Sequence, residues 1–198
     1  MTSKALYPLT NLPIETLTLS NCDYMMTSET ARVIRSFAYL KHLSLFDSDN
    51  DSPEFLRCLT GDTTNTSCMP NLQRLYITMP LISFSAIEPI FVSFLKTHTH
   101  IRELYLHFKE IPESILKAAI CHLPVLELVH FTSLRNISGK SVLGAVNHLS
   151  KLSSLTIYAD QCHDLDVIGI CNKSGSCNIN LENAQIKSIR ASQVDKQN

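Results

Sequence analysis

The sequence is poor in several residue types that mark particular functions. It contains no Trp, five Gly among 198 residues, and 18% charged residues. Phosphate-cradling loops depend on glycine, and none of the patterns G-x-x-x-x-G-K-[ST], G-x-G-x-x-G, G-x-S-x-G or H-E-x-x-H occurs in the chain. These absences argue against nucleotide-binding and hydrolytic enzymes of those types. We therefore expect a protein without enzymatic activity and without a cofactor.

The chain also lacks an excess of charge and a long apolar run. Its formal net charge is −1, and its basic residues are scattered. Such a balance creates no long-range field that would attract nucleic acid or an anionic membrane. No apolar run reaches the roughly 18 residues of a spanning helix, and Met1–Pro8 lacks the apolar core of a secretory signal. The expectation is a cytoplasmic protein, or a nuclear one, with neither nucleic acid nor a membrane as its partner.

Cysteine usage favours free thiols over a disulfide framework. The seven cysteines are odd in number and irregularly spaced: Cys22, Cys58, Cys68, Cys121, Cys162, Cys171 and Cys177. We expect mostly buried thiols in a reducing compartment, with Cys121 facing the core. Cys162 and His163 form a ligand-type cluster with Cys171 and Cys177, but gaps of eight and five intervening residues fit zinc poorly. We expect no metal site.

Two other short clusters have structural interpretations. The run 97–100, which alternates Thr and His, is expected to be a solvated turn between a helix and a strand. The run Asp23–Met26, with Met25 and Met26, is either an adaptable contact or part of the core, and its place at the turn into a helix favours the core.

What the chain does contain is a repeated apolar spacing, L-x-x-L-x-L. Its starts lie 25 to 32 residues apart, a range typical of repeat proteins. The seven copies are Ile14-Leu17-Leu19, Leu40-Leu43-Leu45, Leu72-Leu75-Ile77, Ile101-Leu104-Leu106, Leu126-Val129-Phe131, Leu152-Leu155-Ile157 and a weaker Leu181-Ala184-Ile186. Seven copies in order predict an array of similar units.

Each unit is predicted to contain a strand, a turn and a helix. The copies alternate apolar and polar residues, which favours strands. The segments between them have helical spacing, and six helices are predicted over 28–37, 52–59, 87–95, 112–120, 141–149 and 163–170. Ser28 is the expected cap of the first helix, and Pro53 is expected at the first helical position of the second, where its missing N–H costs nothing.

Stacking such units predicts a curved α/β solenoid. About seven parallel strands should line its concave face, and helices should cover its convex face. We expect residues 1–192 to form this single domain and residues 193–198 to form a disordered tail.

The repeat resembles the leucine-rich repeat family. Its best copy reads Ile14-x-x-Leu17-x-Leu19-x-x-Cys22, with Cys where that family places Asn or Cys. Units of about 28 residues with helices resemble the intracellular branches, of the ribonuclease-inhibitor-like or cysteine-containing type. The ninth position varies, however, and reads Cys22, Ser48, Pro80, Lys109, Leu134 and Asp160 in the first six copies. A continuous Asn ladder is therefore absent.

These irregular repeats are similar to those that follow F-box motifs in fungal ubiquitin-ligase adaptors. The stretches Met69–Leu75 and Leu123–Leu128 carry that likeness. It implies substrate recognition, with ubiquitin-ligase subunits bound through a region absent here. Few residues precede Ile14, so the expectation is a fragment, a short paralogue or a receptor arm without its own ligase contact. The alternatives are the repeat domain of an innate-immune or signalling receptor, or a short scaffold.

Candidate binding residues lie between the apolar positions, where side chains should point to the concave face. Three columns are expected across the strands: Thr16, His42, Arg74, Glu103, Leu128 and Ser154; Thr18, Ser44, Tyr76, Tyr105, His130 and Thr156; and Ser20, Phe46, Thr78, His107, Thr132 and Tyr158. From them we predict a partner-binding face made of Phe46, Arg74, Tyr76, Glu103, Tyr105, His107, His130 and Tyr158. Tyr and Arg are enriched in binding hot spots.

The alternative interpretation of these aromatic residues is packing against one another on the sheet. The two interpretations differ in what truncation does. For a binding face, replacing Tyr76 and Tyr105 with Ala should weaken partner binding and leave melting nearly unchanged. Mutual packing predicts a large loss of stability.

Overall fold

The computed structural model describes residues 6–22, 26–46, 53–61 and 68–163, together with the backbone of 178–182 and 185–186. The fold is α/β, with one parallel sheet whose strands follow one another in chain order. The strands are β1 Thr16–Ser20, β2 His42–Phe46, β3 Arg74–Ser83, β4 Glu103–Ile111, β5 Leu128–Ser138, β6 Ser154–His163, β7 Asn178–Glu182 and β8 Gln185–Ile186. Both β7 and β8 pair with β6.

Helices connect the first six strands. The described residues contain five α-helices: α1 Ser28–Arg35, α2 Glu54–Thr60, α3 Glu88–Thr97, α4 Glu113–His122 and α5 Gly139–His148. Two short 3-10 helices span Tyr7–Asn11 and Phe84–Ala86. Each α-helix contacts the next one along the chain, so the helices form a single layer against the sheet. The sixth predicted helix is not confirmed, because His163 ends β6 and residues 164–170 lie outside the described residues.

Local capping chemistry moves the ends of three predicted helices. The cap of α1 is Thr27, whose Oγ1 accepts a hydrogen bond from the Thr30 N–H at 3.2 Å, so the prediction of Ser28 was wrong. Pro53 is the cap residue before α2 and not its first helical residue, so that prediction was wrong by one position. α5 begins before Ser141, since the Ser138 hydroxyl accepts the Ser141 N–H at 3.3 Å.

The predicted apolar triplets form the buried face of the sheet. Leu72, Leu75 and Ile77 of the third copy are at most 1% exposed, and their equivalents in the next two copies are fully buried. They pack in one continuous core with the apolar side chains of the helices. The opposite face carries half-buried side chains in alternation. That face, turned away from the helices, is called the open face below.

The strands β3 to β6 are nearly twice as long as the triplets predict. Met79 and Ile82 extend the buried face of β3 beyond Ile77, and Phe108 and Ile111 do the same in β4. The register shifts within each of these extensions. In β5 an extra residue separates Phe131 from Leu134 relative to β6, and Ser133 there has φ +65°.

The seventh apolar triplet was placed wrongly. The backbone register aligns Ile179 with Leu155 and Leu181 with Ile157. Ile179 and Leu181 therefore occupy the second and third apolar positions that were assigned to Ala184 and Ile186. Residues 193–198, the predicted tail, lie outside the described residues.

The expectations that most cysteines are buried and that Cys121 faces the core are both wrong. Cys121 is exposed, and among the five described cysteines only Cys162 is buried, although all five are free thiols. Cys171 and Cys177 lie outside the described residues.

The predicted place of Met26 in the core is confirmed, because its side chain is 6% exposed and packs with the core. Met25 lies outside the described residues.

The solvated turn predicted at 97–100 contains a buried histidine. His98 is 4% exposed, and its ring stacks on Phe94 at 3.8 Å between centroids. Its Nε2 lies 2.6 Å from the Cys68 carbonyl oxygen, and its Nδ1 lies 2.8 Å from that of Phe94. Because these contacts link the end of α3 to the chain before β3, His98 is a structural residue of the turn.

Candidate functional site

The strand register brings the predicted columns together on the open face. The first two columns align from Thr16 and Thr18 of β1 through to Ser154 and Thr156 of β6, as expected. The third column aligns from β1 to Thr132 of β5, but the extra residue of β5 interrupts its pairing with Tyr158. The repeat spacing therefore predicted which side chains are neighbours across most of the sheet.

Five rings form a continuous row across β2 to β6, which we name the aromatic row: His42, Tyr76, Tyr105, His130 and Tyr158. The Tyr105 and His130 rings stack at 4.3 Å between centroids, with 18° between their planes. Tyr76 meets Tyr105 edge to face at 6.0 Å, and His130 lies 5.6 Å from Tyr158. All five side chains are half-buried, so each ring packs on its neighbours and still presents surface to solvent.

His42 belongs to this row, although it was not among the predicted binding residues. Its ring meets that of Tyr76 edge to face at 5.0 Å. The signal was present in the columns, because His42 aligns with Arg74, and Tyr76 is two residues further along the same strand. Such diagonal neighbours on adjacent strands are within reach of aromatic side chains. Burial and the positive charge of Arg74 lower the pKa of His42, and the Glu103 carboxylate partly offsets them.

A polar cluster borders the aromatic row on β3 and β4. Arg74 Nε lies 3.1 Å from Glu103 Oε1, so these two predicted residues pair with each other. The Tyr76 hydroxyl donates a hydrogen bond to the other carboxylate oxygen of Glu103. Burial and this hydrogen bond raise the pKa of Tyr76 to about 12, so its hydroxyl remains a hydrogen-bond donor well above neutral pH. The charges of Arg74 and Glu103 are thus paired with each other, and the Tyr76 ring is held in position.

Phe46 and His107 lie beside the row without joining it. Phe46 aligns with Thr78, and Thr78 aligns with His107. Both side chains are half-buried, and in the part of the chain that the structure describes neither ring packs against another aromatic ring. They remain predicted members of a wider contact surface.

The arrangement supplies contact area on an open face. The aromatic row lines neither of two cavities, of about 260 and 280 Å³, that lie elsewhere on the molecule. No group of three or more His, Cys, Asp or Glu side chains within the described ranges is arranged to hold a metal ion. The helices described here are also too short or too polar to cross a lipid bilayer. An open row of fixed rings is suited to contact with a macromolecular surface.

Comparison with models of known protein families and with curated proteins finds no match.

Proposed function

We propose that this chain is a leucine-rich-repeat solenoid that recognises another protein, without catalysis, through the aromatic row on its concave face. The observation that supports the proposal is the continuity of five contacting rings over five adjacent strands. Four strand spacings of about 4.8 Å give the row a length of about 19 Å. A partner segment of about six extended residues, or a helix of about 13, would span it.

The regular succession of units supports the solenoid. Five strand–helix pairs follow one another, each strand pairs in parallel with the next, and each helix contacts the next. An array of that kind has one large uncovered sheet face, on which Arg74 and Glu103 pair with each other. Rings are therefore the principal groups that this face offers a partner.

The residue types of the row also favour binding. Tyr side chains provide large contact areas with few rotatable bonds, so ordering them on binding costs little entropy. Here the cost is lower still, because Tyr76 is already held by Glu103 and Tyr105 by His130. Mutual packing of the rings is compatible with binding, since each of these side chains is only partly buried and keeps some surface exposed.

For the biological setting we propose substrate recognition by an F-box-type ubiquitin-ligase adaptor. The irregular repeats and the likeness of Met69–Leu75 to such adaptors support it. On this proposal the repeats bind the substrate, and other subunits or segments contact the ligase.

Affinity capture compared across three variants tests the proposal. The native chain, a Tyr76→Ala/Tyr105→Ala/His130→Ala variant and a Tyr39→Ala control are used as baits, and the captured proteins are identified by mass spectrometry. Tyr39 is a matched control because it is an exposed aromatic residue, 58% accessible, outside the row. We expect a partner that the native chain and the control capture and the triple variant loses.

Each part of the proposal has its own contradicting outcome. Equal capture by the triple variant would exclude the aromatic row as the binding site. Recovery of Skp-like adaptor and cullin components supports the ligase setting. Their absence, with an ATPase captured in their place, would overturn that setting and favour a receptor.

A further inference from the structure

Three arginine side chains converge on a groove on the helix side of the molecule, far from the aromatic row in the fold. The groove has a volume of about 280 Å³ and lies where α1, α2 and α3 meet. Arg32 and Arg35 reach it from α1, and Arg57 reaches it from α2. Arg32 and Arg35 lie three residues apart and therefore share one face of α1. Because α1 packs against α2, Arg57 approaches them from the neighbouring helix. We name this feature the arginine groove.

Backbone carbonyl groups hold two of these guanidinium groups in place. Arg35 Nη1 donates to the Cys58 carbonyl oxygen at 3.2 Å. Arg57 donates from Nε and Nη2 to the Ala86 carbonyl oxygen at 3.4 and 3.2 Å. A guanidinium carries five N–H groups, and within the described residues most donors of both side chains make no further hydrogen bond. The groove is thus organised before any ligand binds.

The positive charge of the groove is poorly compensated within the described residues. Its lining includes one carboxylate, Glu54, which lies 4.0 Å from Arg57, at the limit of an ion pair. No described carboxylate lies within that distance of Arg32 or Arg35. Three guanidinium groups against one carboxylate leave a balance of +2 among the described lining residues.

The other described arginines behave differently. Each of them pairs with a glutamate at 3.1 to 3.5 Å, and the pairs are Arg74–Glu103, Arg102–Glu127 and Arg135–Glu110. Among the described arginines, those of the arginine groove are therefore the ones without a close glutamate partner, apart from the 4.0 Å contact of Arg57 with Glu54.

We propose that the arginine groove binds a dianionic phosphate group, either free or carried as a small monoester. A dianion matches the +2 balance, and its tetrahedral oxygens suit the planar forks of guanidinium groups that approach from two helices. The groove holds the liquid volume of roughly nine water molecules at about 30 Å³ each, which is ample room for a phosphate and its ester carbon. The scattered positions of the three residues hid this site from the sequence.

The competing explanation is purely structural. Arg32, Arg35 and Arg57 lie in the last turns of α1 and α2, where basic side chains stabilise the negative end of the helix dipole. That role needs no ligand and predicts no saturable anion binding. It also predicts the same effect from any salt at equal ionic strength.

Titration calorimetry distinguishes a phosphate-binding site from the structural explanation. Inorganic phosphate and glycerol phosphate are titrated into the protein at pH 7.5, and sodium chloride at matched ionic strength is the reference. We expect saturable phosphate binding that Arg32→Gln weakens about tenfold, since one charge-assisted hydrogen bond contributes about that factor. Arg32 is exposed, so this variant should keep its fold, which circular dichroism checks. The control is Arg102→Gln, which removes a paired arginine outside the groove and should leave binding unchanged.

The two ligands distinguish the sources of the phosphate group. Binding of both indicates a monoester, and binding of inorganic phosphate alone indicates the free ion. The proposal is overturned by a lack of saturation, by equal heats with chloride, or by unchanged affinity in both Arg32→Gln and a second variant, Arg57→Gln.

Discussion

Leu104 and Tyr105 are adjacent in β4 and face opposite sides of the sheet. Truncating each of them to Ala compares the contribution of the core with that of the aromatic row to the free energy of unfolding. Leu104 is fully buried against the helix layer, whereas Tyr105 is half-buried on the open face. Tyr105 has two ring neighbours, Tyr76 at 6.0 Å and His130 at 4.3 Å. Each cross-strand aromatic pair contributes about 0.2–1 kcal/mol. We therefore expect Tyr105→Ala to lower the free energy of unfolding by about 1 kcal/mol.

Leu104→Ala is the matched comparison on the same strand. It removes a core side chain and leaves a cavity, which costs about 2–5 kcal/mol. The assay is urea denaturation of both variants and the native chain, followed by far-UV circular dichroism. A Tyr105→Ala loss as large as that of Leu104→Ala would refute this reasoning, because the row would then be part of the core and not a surface prepared for a partner.

The remaining predictions concern single residues outside the row. Gly144→Ala should stabilise the protein by up to about 1 kcal/mol, since Gly144 lies within α5 and an added Cβ would meet open space. Gly61→Ala should destabilise the protein, because Gly61 has φ +139°, which disfavours a side chain. Thermal unfolding of both variants and the native chain measures the two effects. Burial acts to raise the pKa of Glu113, but hydrogen bonds from Lys117, Ser138 and Ser141 lower it to about 2. This carboxylate therefore stabilises the fold above pH 4.5 and loses that effect as the pH falls towards 2, so native and Glu113→Gln stabilities should converge over that range in acid titrations followed by circular dichroism. Burial lowers the pKa of His98 below its usual 6.5, and this outweighs the two carbonyl contacts of its ring. The unfolded chain then takes up the proton first, so stability should fall as the pH drops below 6.5, and His98→Gln should show a smaller fall; parallel slopes in denaturant titrations from pH 7.5 to 5 would contradict this assignment.

Repeat spacing predicted the part of the fold that depends on periodicity. Leu75 and Ile77 are core residues because their spacing matches the strand period of two, and the same period placed Tyr76 beside Tyr105 on the other face. When units of similar length stack, equivalent positions of neighbouring strands align, and this sets the parallel register from β1 to β6. The aromatic row was therefore largely predictable from the sequence.

Features that depend on tertiary contact were not predictable in this way. The extension of β3 through Met79 and Ile82 follows no simple alternation, because the register shifts within it. His98 is polar and lies in a turn, and its burial arises from contacts with Cys68, 30 residues away.

The arginine groove is a further example, since its residues come from two helices whose packing angle no sequence pattern specifies. Cys121 shows the opposite error. It lies at the end of α4 beside apolar residues, but the last turn of that helix directs it to solvent.

The central claim is that the aromatic row is the partner-binding site, and the affinity of the captured partner tests it most directly. The dissociation constant of that purified partner is measured for the native chain, the Tyr76→Ala/Tyr105→Ala/His130→Ala variant and Tyr39→Ala. Hot-spot truncations cost about 2 kcal/mol or more each, so the triple variant should bind at least about a hundredfold more weakly and Tyr39→Ala should bind as the native chain does. Equal affinity of the folded triple variant and the native chain would contradict the claim.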